Sequence, residues 1–303
     1  MATMSTYSNA MRSTEILCYG SLNIDYVYHV NKIFRPGETI ESLSLQTFAG
    51  GKGANQSVAA ARAGGRVHHA GSIGQDGTWM LDKLRDDGIN VSNVVISGAV
   101  TGHAVIQVDD EGENAICLFG GANQTITRAD IDKTIRQFEA GSTLMLQNET
   151  SELEYMLHTA AYQGMFICLN PSPISDSLLS LNLKDVGLLV VNEIEASTLA
   201  TNSSDPFRAL RDRCPRAIIV KTKGAFGGEA MVPDSDEAII YKSCNVKAVD
   251  TTAAGDTFLG YLVAGLSQGE SLESSLEKAA RAAERCVTVK GAQASIPFRE
   301  QIN

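Results

Sequence analysis

The sequence predicts an α/β fold: a three-layer sandwich with a mainly parallel sheet, plus a small β-sheet lid. From about residue 129 onward, short apolar runs alternate with helical patterns, and this spacing is typical of parallel strands with helices on both faces. Before that point, two stretches alternate polar and apolar residues, as strands with a single apolar face do. Such strands need a cover on that face.

The strands of the main sheet begin with the apolar run Ile16–Gly20, which leads into a polar turn. A second strand is predicted at Val67–Gly71. Further strands are predicted at Thr143–Leu146, Met165–Leu169, Val186–Val191 and Ala217–Lys221, before a hairpin over Gly228–Tyr241. Helices are predicted at Ala54–Arg62, Trp79–Leu84, Ala129–Phe138, Leu153–Tyr162 and Ser271–Val287.

The lid is predicted from two segments, at about residues 25–49 and 101–122. In the first segment an alternating run precedes a turn at Arg35–Glu38, and in the second two alternating runs flank the turn Asp110–Glu113. We interpret both segments as short antiparallel strands. Residues 15–303 then form a single domain, and the polar residues 1–14 are expected to be a disordered extension.

Composition and charge argue against several classes of protein. The formal net charge of the 303 residues is −10 and there is no basic run, so neither nucleic acid nor an acidic membrane surface is an expected partner. No apolar stretch reaches membrane-spanning length and no secretory signal is recognisable, so the cytoplasm is the expected location. The six cysteines lack Cys-x-x-Cys spacing, which favours reduced thiols. No Gly-x-Gly-x-x-Gly follows the first strand, which excludes a NAD-dependent dehydrogenase.

The strongest chemical pattern lies in the decapeptide Val249–Phe258. It contains two threonines, then the small residues Ala253–Gly255, and then Asp256 at the start of an apolar helical run. Small residues before a helix let backbone N–H groups converge on an anion, and the helix dipole adds positive potential there. An adjacent acid can take a proton from a nucleophile while the amides hold negative charge. The pattern predicts phosphoryl transfer; the alternative is that Asp256 merely caps the helix.

A glycine-rich stretch, Gly50–Gly53, precedes a strong helix former that begins at Ala54. It is not a Walker A loop, because Lys52 is followed by Gly and not by Ser or Thr. Glycines let a ligand approach the backbone closely, and Lys52 and Asn55 stand at the first helical turn, where a ligand or solvent must satisfy them. We interpret the stretch as a binding loop. A tight turn with a solvated lysine is the alternative.

Polar residues also follow the first strand. Asn23 offers an amide donor and acceptor, and Asp25 offers acceptors for a pair of vicinal hydroxyls. Ligands gather at the carboxyl ends of strands in open α/β sheets, which favours substrate contact at these positions. A turn built by the Asn and Asp side chains is the alternative.

These motifs resemble the signatures of the ribokinase-like (phosphofructokinase-B) carbohydrate kinases. Asp250–Phe258 is similar to the C-terminal signature of that family, and Gly50–Gln56 is similar to a second signature at the family's usual place upstream. The similarity runs from about Ile16 to Ile302. It implies ATP-dependent phosphorylation of D-ribose at the 5-hydroxyl, with a β lid that covers the sugar and joins two subunits in a homodimer.

The resemblance also implies roles for individual residues. Asp256 would be the base, and the backbone amides of Ala253, Ala254 and Gly255 would be the anion hole. Sugar contacts are implied for Asn23, Asp25, Gly51, Lys52, Gly53, Ala54, Asn55, Glu149 and Asp256. ATP contacts are implied for Asn192, Thr222, Lys223, Gly224, Ala225, Phe226, Gly227, Gly255 and Asp256. Phe226 departs from the family pattern, which often has Arg at that position.

Two metal ions are implied as well. Glu195, in an Asn-x-x-Glu motif, would hold Mg²⁺ through water, and sparse carboxylates suit a mostly hydrated Mg²⁺. The alternative for Glu195 is a Glu-rich helix start favoured by the helix dipole. A monovalent cation, K⁺, is implied near the C-terminus, mostly through backbone carbonyls. Its ligands would be Asp250, Thr252, Cys286, Val289, Gly291 and Ser295.

Two other functions remain compatible with these residues. A sister kinase that acts on deoxyribose or another sugar would share the motifs. A non-catalytic sugar or nucleotide sensor would need neither Asp256 nor the complete Ala253–Gly255 turn, so their presence favours an enzyme.

Overall fold

A nine-stranded, mostly parallel sheet forms the centre of the computed structural model, which describes residues 13–201, 203–235, 237–244 and 246–302. Its strands, numbered in chain order, are β1 (Glu15–Tyr19), β4 (Arg66–Gly74), β5 (Asn90–Ser97), β8 (Thr143–Gln147), β9 (Phe166–Asn170), β10 (Val186–Asn192), β11 (Ile218–Thr222), β12 (Gly228–Met231) and β13 (Ala238–Tyr241). They lie in the order β13-β12-β11-β10-β9-β8-β1-β4-β5, and β12 and β13 run antiparallel. The predicted mainly parallel sheet is confirmed. The predicted disordered extension, as far as residue 12, lies outside the described residues.

A second, smaller sheet forms at the segments predicted for the lid. Its strands are β2 (Asn23–His29), β3 (Ser44–Gly50), β6 (Gly102–Val108) and β7 (Asn114–Phe119), in the order β3-β2-β6-β7. The outer pairs are antiparallel as predicted, but the central strands β2 and β6 are parallel to each other. The reason is that β2 continues from β1 and β6 follows β5. Because β1 and β5 run the same way in the large sheet, both lid strands leave it in the same direction.

Helices pack on both faces of the large sheet. Those of at least one full α-helical turn in the described residues are α1 (Lys52–Arg62), α2 (Trp79–Asp86), α3 (Arg128–Ile135), α4 (Leu153–Gln163), α5 (Glu193–Leu199), α6 (Pro206–Arg213), α7 (Ala254–Ser267) and α8 (Leu272–Cys286). The predicted helices lie within a few residues of these bounds. Strand β5 was not predicted, because its sequence mixes polar and apolar residues and most of it is not buried.

The sheet separates two apolar cores. Strand β1 shows the division: Ile16 and Cys18 belong to one core, and Leu17 and Tyr19 belong to the other. Successive strand residues point to opposite faces, so an unbroken apolar strand supplies both cores at once. Helices α1, α2, α7 and α8 cover the first core, and α3 to α6 cover the second.

The contact between α1 and α7 brings the two sequence motifs together. Gly260 on α7 lies so close to α1 that an added Cβ would stand 2.7 Å from the Gln56 carbonyl oxygen and from the Ala60 nitrogen. A glycine there removes the side chain that would hold the helices apart. The first turns of α1 and α7 therefore lie side by side, although about two hundred residues separate them in the sequence.

Candidate active site

Asp256, in the first turn of α7, lies at the centre of the site. The Asn55 Nδ2 atom donates to Asp256 Oδ2 at 3.0 Å, and the Gln56 Nε2 atom donates to Asp256 Oδ1 at 3.0 Å. The Asp256 side chain is buried, with 7% of its residue surface exposed. Each carboxylate oxygen thus has one amide donor, which fixes the plane of the carboxylate.

The start of α7 offers backbone amides to an anion. Ala253, the residue before the helix, has a φ of 62°, a left-handed conformation that costs free energy for a residue with a Cβ and is typical of functional sites. The first N–H groups of a helix have no partner inside it. Of the three predicted amides, the Ala254 N–H donates to the Thr251 carbonyl oxygen at 3.3 Å, a long hydrogen bond. The predicted anion hole therefore lies at a helix N-terminus, beside Asp256.

The glycine-rich loop lies against the link between β1 and β2. Gly51 has a φ of 94°, and an added Cβ there would stand 2.8 Å from the Ser21 carbonyl oxygen. An added Cβ on Gly53 would stand 2.5 Å from the Gly20 carbonyl carbon. The Ala54 N–H donates to the Ser21 carbonyl oxygen at 3.0 Å. These glycines let the start of α1 approach the carboxyl end of β1 closely.

Glu149 and Asn23 occupy the rest of this end of the site. The Glu149 Oε2 atom accepts hydrogen bonds from the Ser21 hydroxyl and, at 3.2 Å, from the Lys52 N–H. The Asn23 Oδ1 atom accepts from Asn123 Nδ2 at 2.7 Å. The predicted sugar-binding residues after β1, in the glycine-rich loop and after β8 thus lie together at one edge of the sheet.

The charges around Lys52 are unbalanced. Burial, with the nearby Glu149 and Asp256 carboxylates, raises the pKa of Asp25 to about 7. Burial also raises the pKa of Glu149. The Asp256 carboxylate, followed by Glu149, raises the pKa of Lys52. Carboxyl groups therefore outnumber the single ammonium here, and a ligand rich in hydroxyl donors suits this site better than an anion does.

A mainly apolar cavity of about 260 Å³ lies on the other side of the α7 start. Four residues of the loop predicted to bind nucleotide line it, and so do the first residues of α7. The remaining wall comes from the β13 end, from the loop between β13 and α7, and from α8. The lining includes Thr222, Gly224, Ala225, Gly227, Tyr241, Val246, Ala254, Gly255, Ala283 and Val287. The flat aromatic base of a nucleotide fits against such a wall, and the phosphates of that nucleotide would point toward the helix N-terminus.

Two residues of the predicted nucleotide loop do not line this cavity. The Lys223 ammonium pairs with Glu229 Oε1 at 2.8 Å, and Lys221 pairs with the same carboxylate at 2.7 Å. Phe226, the residue that departs from the family pattern, is 87% exposed. Their contacts with ATP stay predictions.

Asn192 and Glu195 form a capping box at the start of α5. The Asn192 Oδ1 atom accepts from the Glu195 N–H at 2.8 Å, and Glu195 Oε2 accepts from the Asn192 N–H at 3.0 Å. The Glu195 residue is 6% exposed. Its carboxylate also contributes to the raised pKa of Lys52, which places it within electrostatic reach of the site. The helix-start role and a role toward a metal ion are therefore compatible.

The residues predicted to hold a monovalent cation converge beside the α7 start. Asp250 accepts from the Thr252 N–H and from the Gly291 N–H, each at 2.9 Å. The Cys286 thiol lies 3.0 Å from the Ser295 hydroxyl and contacts the Thr252 carbonyl. Within the described ranges, no group of three or more His, Cys, Asp or Glu side chains could hold a metal ion.

Comparison with known proteins identifies the family. A model of the pfkB family carbohydrate kinases matches residues 13–299. The chain belongs to this family. The ribokinase of Haemophilus influenzae is 36% identical over 96% of this chain and 97% of its own length. The ribokinase of Schizosaccharomyces pombe is 36% identical over 93% of this chain and 94% of its own, and a deoxyribokinase of Salmonella typhimurium is 31% identical over 95% and 97%.

Solved structures of ribokinases have the same fold. That of Arabidopsis thaliana, complexed with ribose and ATP, has a TM-score of 0.82 and 28% identity, covering 96% of this chain and 97% of its own. That of Cryptococcus neoformans, in complex with ADP, has a TM-score of 0.81 and 34% identity, covering 96% and 99%. No helix in the described part of this pfkB-family chain is long and apolar enough to cross a membrane.

Sequence reasoning missed several polar residues of this pfkB-family site. Gln56 contacts Asp256, Ser21 contacts Glu149, and Asn123 contacts Asn23. The signal for Gln56 was its position one residue after Asn55 in the same motif. Asn123 comes from the segment after the lid strand β7, and no local pattern connects it to β2.

Proposed function

We propose that this chain transfers the γ-phosphoryl group of ATP to the 5-hydroxyl of D-ribose, giving D-ribose 5-phosphate and ADP. One observation supports the proposal. The cluster of predicted sugar-binding residues lies on one side of the first turn of α7, and the apolar cavity lies on the other side. Asp256 faces the cluster through Asn55, while Ala254 and Gly255 line the cavity. A sugar and a nucleotide placed in these two spaces meet at the helix N-terminus.

The proposed reaction is a direct displacement. The Asp256 carboxylate accepts the proton of the 5-hydroxyl as that oxygen bonds to the γ-phosphorus, and the bond from the γ-phosphorus to the bridging oxygen of ADP breaks. Backbone amides at the start of α7 hold the charge of the transferring group. The proton on Asp256 then passes to solvent when the products leave.

The half-buried carboxyl groups of the site position the pentose. Asp25 and Glu149 accept hydrogen bonds from sugar hydroxyls, and the Lys52 ammonium donates to a hydroxyl oxygen. Asn55 holds Asp256 through its Nδ2 atom, and its Oδ1 atom is buried without a protein partner in the part of the chain that the structure describes. A buried acceptor without a partner costs free energy, so a sugar hydroxyl that donates to it contributes both affinity and specificity.

Mg²⁺ and K⁺ belong to the same proposal. Glu195, whose carboxylate is buried at the start of α5, would hold a hydrated Mg²⁺ that would neutralise charge on the β- and γ-phosphates. Asp250 and Ser295, with nearby backbone carbonyls, would hold K⁺. Asp250 fits that role, since the Gly291 and Thr252 N–H groups outweigh its burial and hold its pKa below the ordinary value. An ionised Asp250 therefore ties the loop before α7 to the C-terminal loop.

We also propose a homodimer formed through the lid. The lid exposes large apolar side chains on three of its strands: Leu45, Val105, Ile116, Leu118 and Phe119, each more than a third exposed. The strand registers place Leu45, Val105 and Phe119 on one face of the lid, and Ile116 and Leu118 on the other. Exposed apolar side chains grouped in this way are typical of an interaction surface. The cytoplasm is the proposed location, because all six cysteines are free, as in proteins of a reducing compartment.

A deoxyribose kinase is the second candidate, because a deoxyribokinase is among the similar proteins at 31% identity. The test for both is ADP release by the purified chain with ribose, 2-deoxyribose and fructose, and phosphorus NMR of the product to locate the new ester. We expect ribose to give the highest kcat/KM and a 5-phosphate. ADP release that does not depend on any of these sugars would refute both functions.

A further inference from the structure

A chain of buried amide side chains lies behind Asp256, and the proposed mechanism does not use it. Gln56 has no exposed surface, and its Nε2 atom donates to Asp256 Oδ1 at 3.0 Å. Gln147, at the end of β8, is 1% exposed, and its Nε2 atom donates to Gln56 Oε1 at 2.6 Å. The two amides connect the sheet to the carboxylate of the proposed base.

In this series of hydrogen bonds, the orientation of each amide follows from the group to which it donates. An ionised carboxylate only accepts, so Gln56 must present its NH₂ group to Asp256. Its carbonyl oxygen then points to Gln147, which must present its own NH₂ group. The reverse orientation would set the Gln56 oxygen against the carboxylate and the Gln56 NH₂ group against that of Gln147.

Neighbouring residues hold both amides in place. The second hydrogen of Gln56 Nε2 points to Asn170 Oδ1 at 3.4 Å, and the Gln147 Nε2 atom also lies 3.6 Å from the Cys18 sulfur. Gly20 has no side chain where Gln147 Oε1 lies, and an added Cβ would overlap that oxygen. The Gln56 amide thus has partners on every hydrogen-bonding atom, whereas Asn55, the other partner of Asp256, also faces the sugar side.

We propose that Gln56 is a positioning residue for Asp256 and that Gln147 fixes the orientation of Gln56. In this role, which rests on the proposed function of Asp256 as the base, the two amides hold the carboxylate plane toward the 5-hydroxyl and keep Asp256 an acceptor. They touch no substrate. Removing them therefore lowers kcat and leaves the affinity for ribose unchanged, because small misplacements of a reacting group slow the chemical step strongly.

The first experiment compares Gln56→Met and Gln147→Met with the unchanged protein. Methionine keeps the approximate volume of glutamine but cannot donate to Asp256. We expect kcat to fall by about 10- to 100-fold for Gln56→Met. For Gln147→Met, which does not contact Asp256, we expect a smaller fall in the same direction. The dissociation constant for ribose, measured by calorimetry, should stay the same in both variants.

Ser57→Ala is the matched control. Ser57 follows Gln56 on α1, is equally buried and forms a hydrogen bond with His69 at 2.8 Å, but it does not contact Asp256. The alanine variant loses that buried hydrogen bond. We expect a lower melting temperature with unchanged kcat. If Gln56→Met and Gln147→Met lower the melting temperature and leave kcat unchanged, as Ser57→Ala does, the two amides are structural and the proposal is wrong.

A further variant, Gln56→Glu, should change the pH profile of kcat, which a purely structural role for Gln56 would not do. The introduced carboxylate would repel Asp256 when ionised and donate to it when protonated. We expect its kcat to rise as the pH is lowered from 8 to 6, while the kcat of the unchanged protein does not. Parallel pH profiles would contradict the proposal. Asp256→Asn is assayed alongside: if that variant keeps its kcat, the base assignment has failed instead.

Discussion

Asn55 and Asp256 stand 201 positions apart in the sequence, yet their side chains are joined by a hydrogen bond of 3.0 Å. One residue belongs to the glycine-rich loop and the other to the start of α7. The bond therefore links the sugar side of the site to the proposed base, and it exists because Gly260 lets α1 and α7 approach closely. A change in the packing of these helices would move the base relative to the sugar.

Asp256→Asn should lower kcat by about 10²–10⁴-fold, because an amide cannot accept the proton of the attacking hydroxyl. Removal of the negative charge should leave the ribose dissociation constant within the same order of magnitude. The measurements are kcat by ADP release and ribose affinity by calorimetry.

The melting temperature of Asp256→Asn separates the base from a helix cap. Asparagine caps a helix about as well as aspartate, so a mere cap would give unchanged kcat. The structure adds that an amide at position 256 places its own NH₂ group against a donor of Asn55 or Gln56. We therefore expect a modest fall in melting temperature together with the large fall in kcat.

Ribose should be preferred over 2-deoxyribose by about 10²-fold or more in kcat/KM, because a site that hydrogen-bonds a hydroxyl rejects the analogue that lacks it. Ribose should also be preferred over fructose, a hexose with one more hydroxymethyl group, because the site is proposed to fit a pentose. The acceptors are Asn55 Oδ1, which has no partner among the residues that the structure describes, and the carboxyl groups of Asp25 and Glu149. Competition assays with each sugar pair give the ratio directly. Comparable values for ribose and fructose would overturn the assignment of a pentose, and a higher value for 2-deoxyribose would favour the second candidate.

Much of this site could be predicted from the sequence because its motifs are local. Asp256 and the glycine-rich loop each combine small residues with a polar residue at a helix start, a pattern whose chemistry is readable in one window. The wall of the nucleotide cavity could not be predicted in the same way. Tyr241 and Ala283 come from a hairpin and from α8, and apolar residues that line a cavity have the same pattern as residues that fill a core.

K⁺ should raise both the activity and the stability of the protein relative to tetramethylammonium at equal ionic strength. Binding to the folded state stabilises it by mass action, so the melting temperature should increase with K⁺ concentration. Asp250→Asn should abolish the increase, because Asp250 orders the loops that meet at the site. Asp185→Asn, an exposed position paired with Arg216, is the control. Equal K⁺ responses of the two variants would show that Asp250 does not form a cation site.

Ile116→Lys should convert the proposed dimer to a monomer, since it places a charge beside Leu118 among the exposed apolar side chains of β7, where Ile116 is 57% exposed. Sedimentation equilibrium measures the change in mass. The matched control is Ile96→Lys on β5, where Ile96 is 53% exposed and lies outside the lid. A mass that shifts with Ile96→Lys and not with Ile116→Lys would place the interface on the large sheet.

Ribose binding near pH 7 should release a proton from Asp25. Partial burial, with two other carboxyl groups nearby, raises the pKa of Asp25 to about 7 in the folded chain, so part of the population is protonated at that pH. Sugar hydroxyls that donate to Asp25 favour the ionised form and drive the proton off. Calorimetry in buffers of different ionisation enthalpy counts the protons. The count should be positive in the unchanged protein and close to zero in Asp25→Asn.

The raised pKa of Asp25 should also make the free energy of unfolding depend on pH. The pKa of Asp25 in the folded protein, about 7, lies above the ordinary value of 3.8. Ionised Asp25 therefore lowers the free energy of unfolding by its full amount above about pH 7, and this decrease disappears as the pH falls toward 4. Asp25→Asn should therefore raise the unfolding free energy at pH 8, by at most about 4 kcal/mol at 1.36 kcal/mol per pKa unit. The gain should shrink in denaturant titrations at lower pH, while the KM for ribose increases at every pH. A gain that is equal at pH 8 and pH 4.5 would show that Asp25 is not the titrating group.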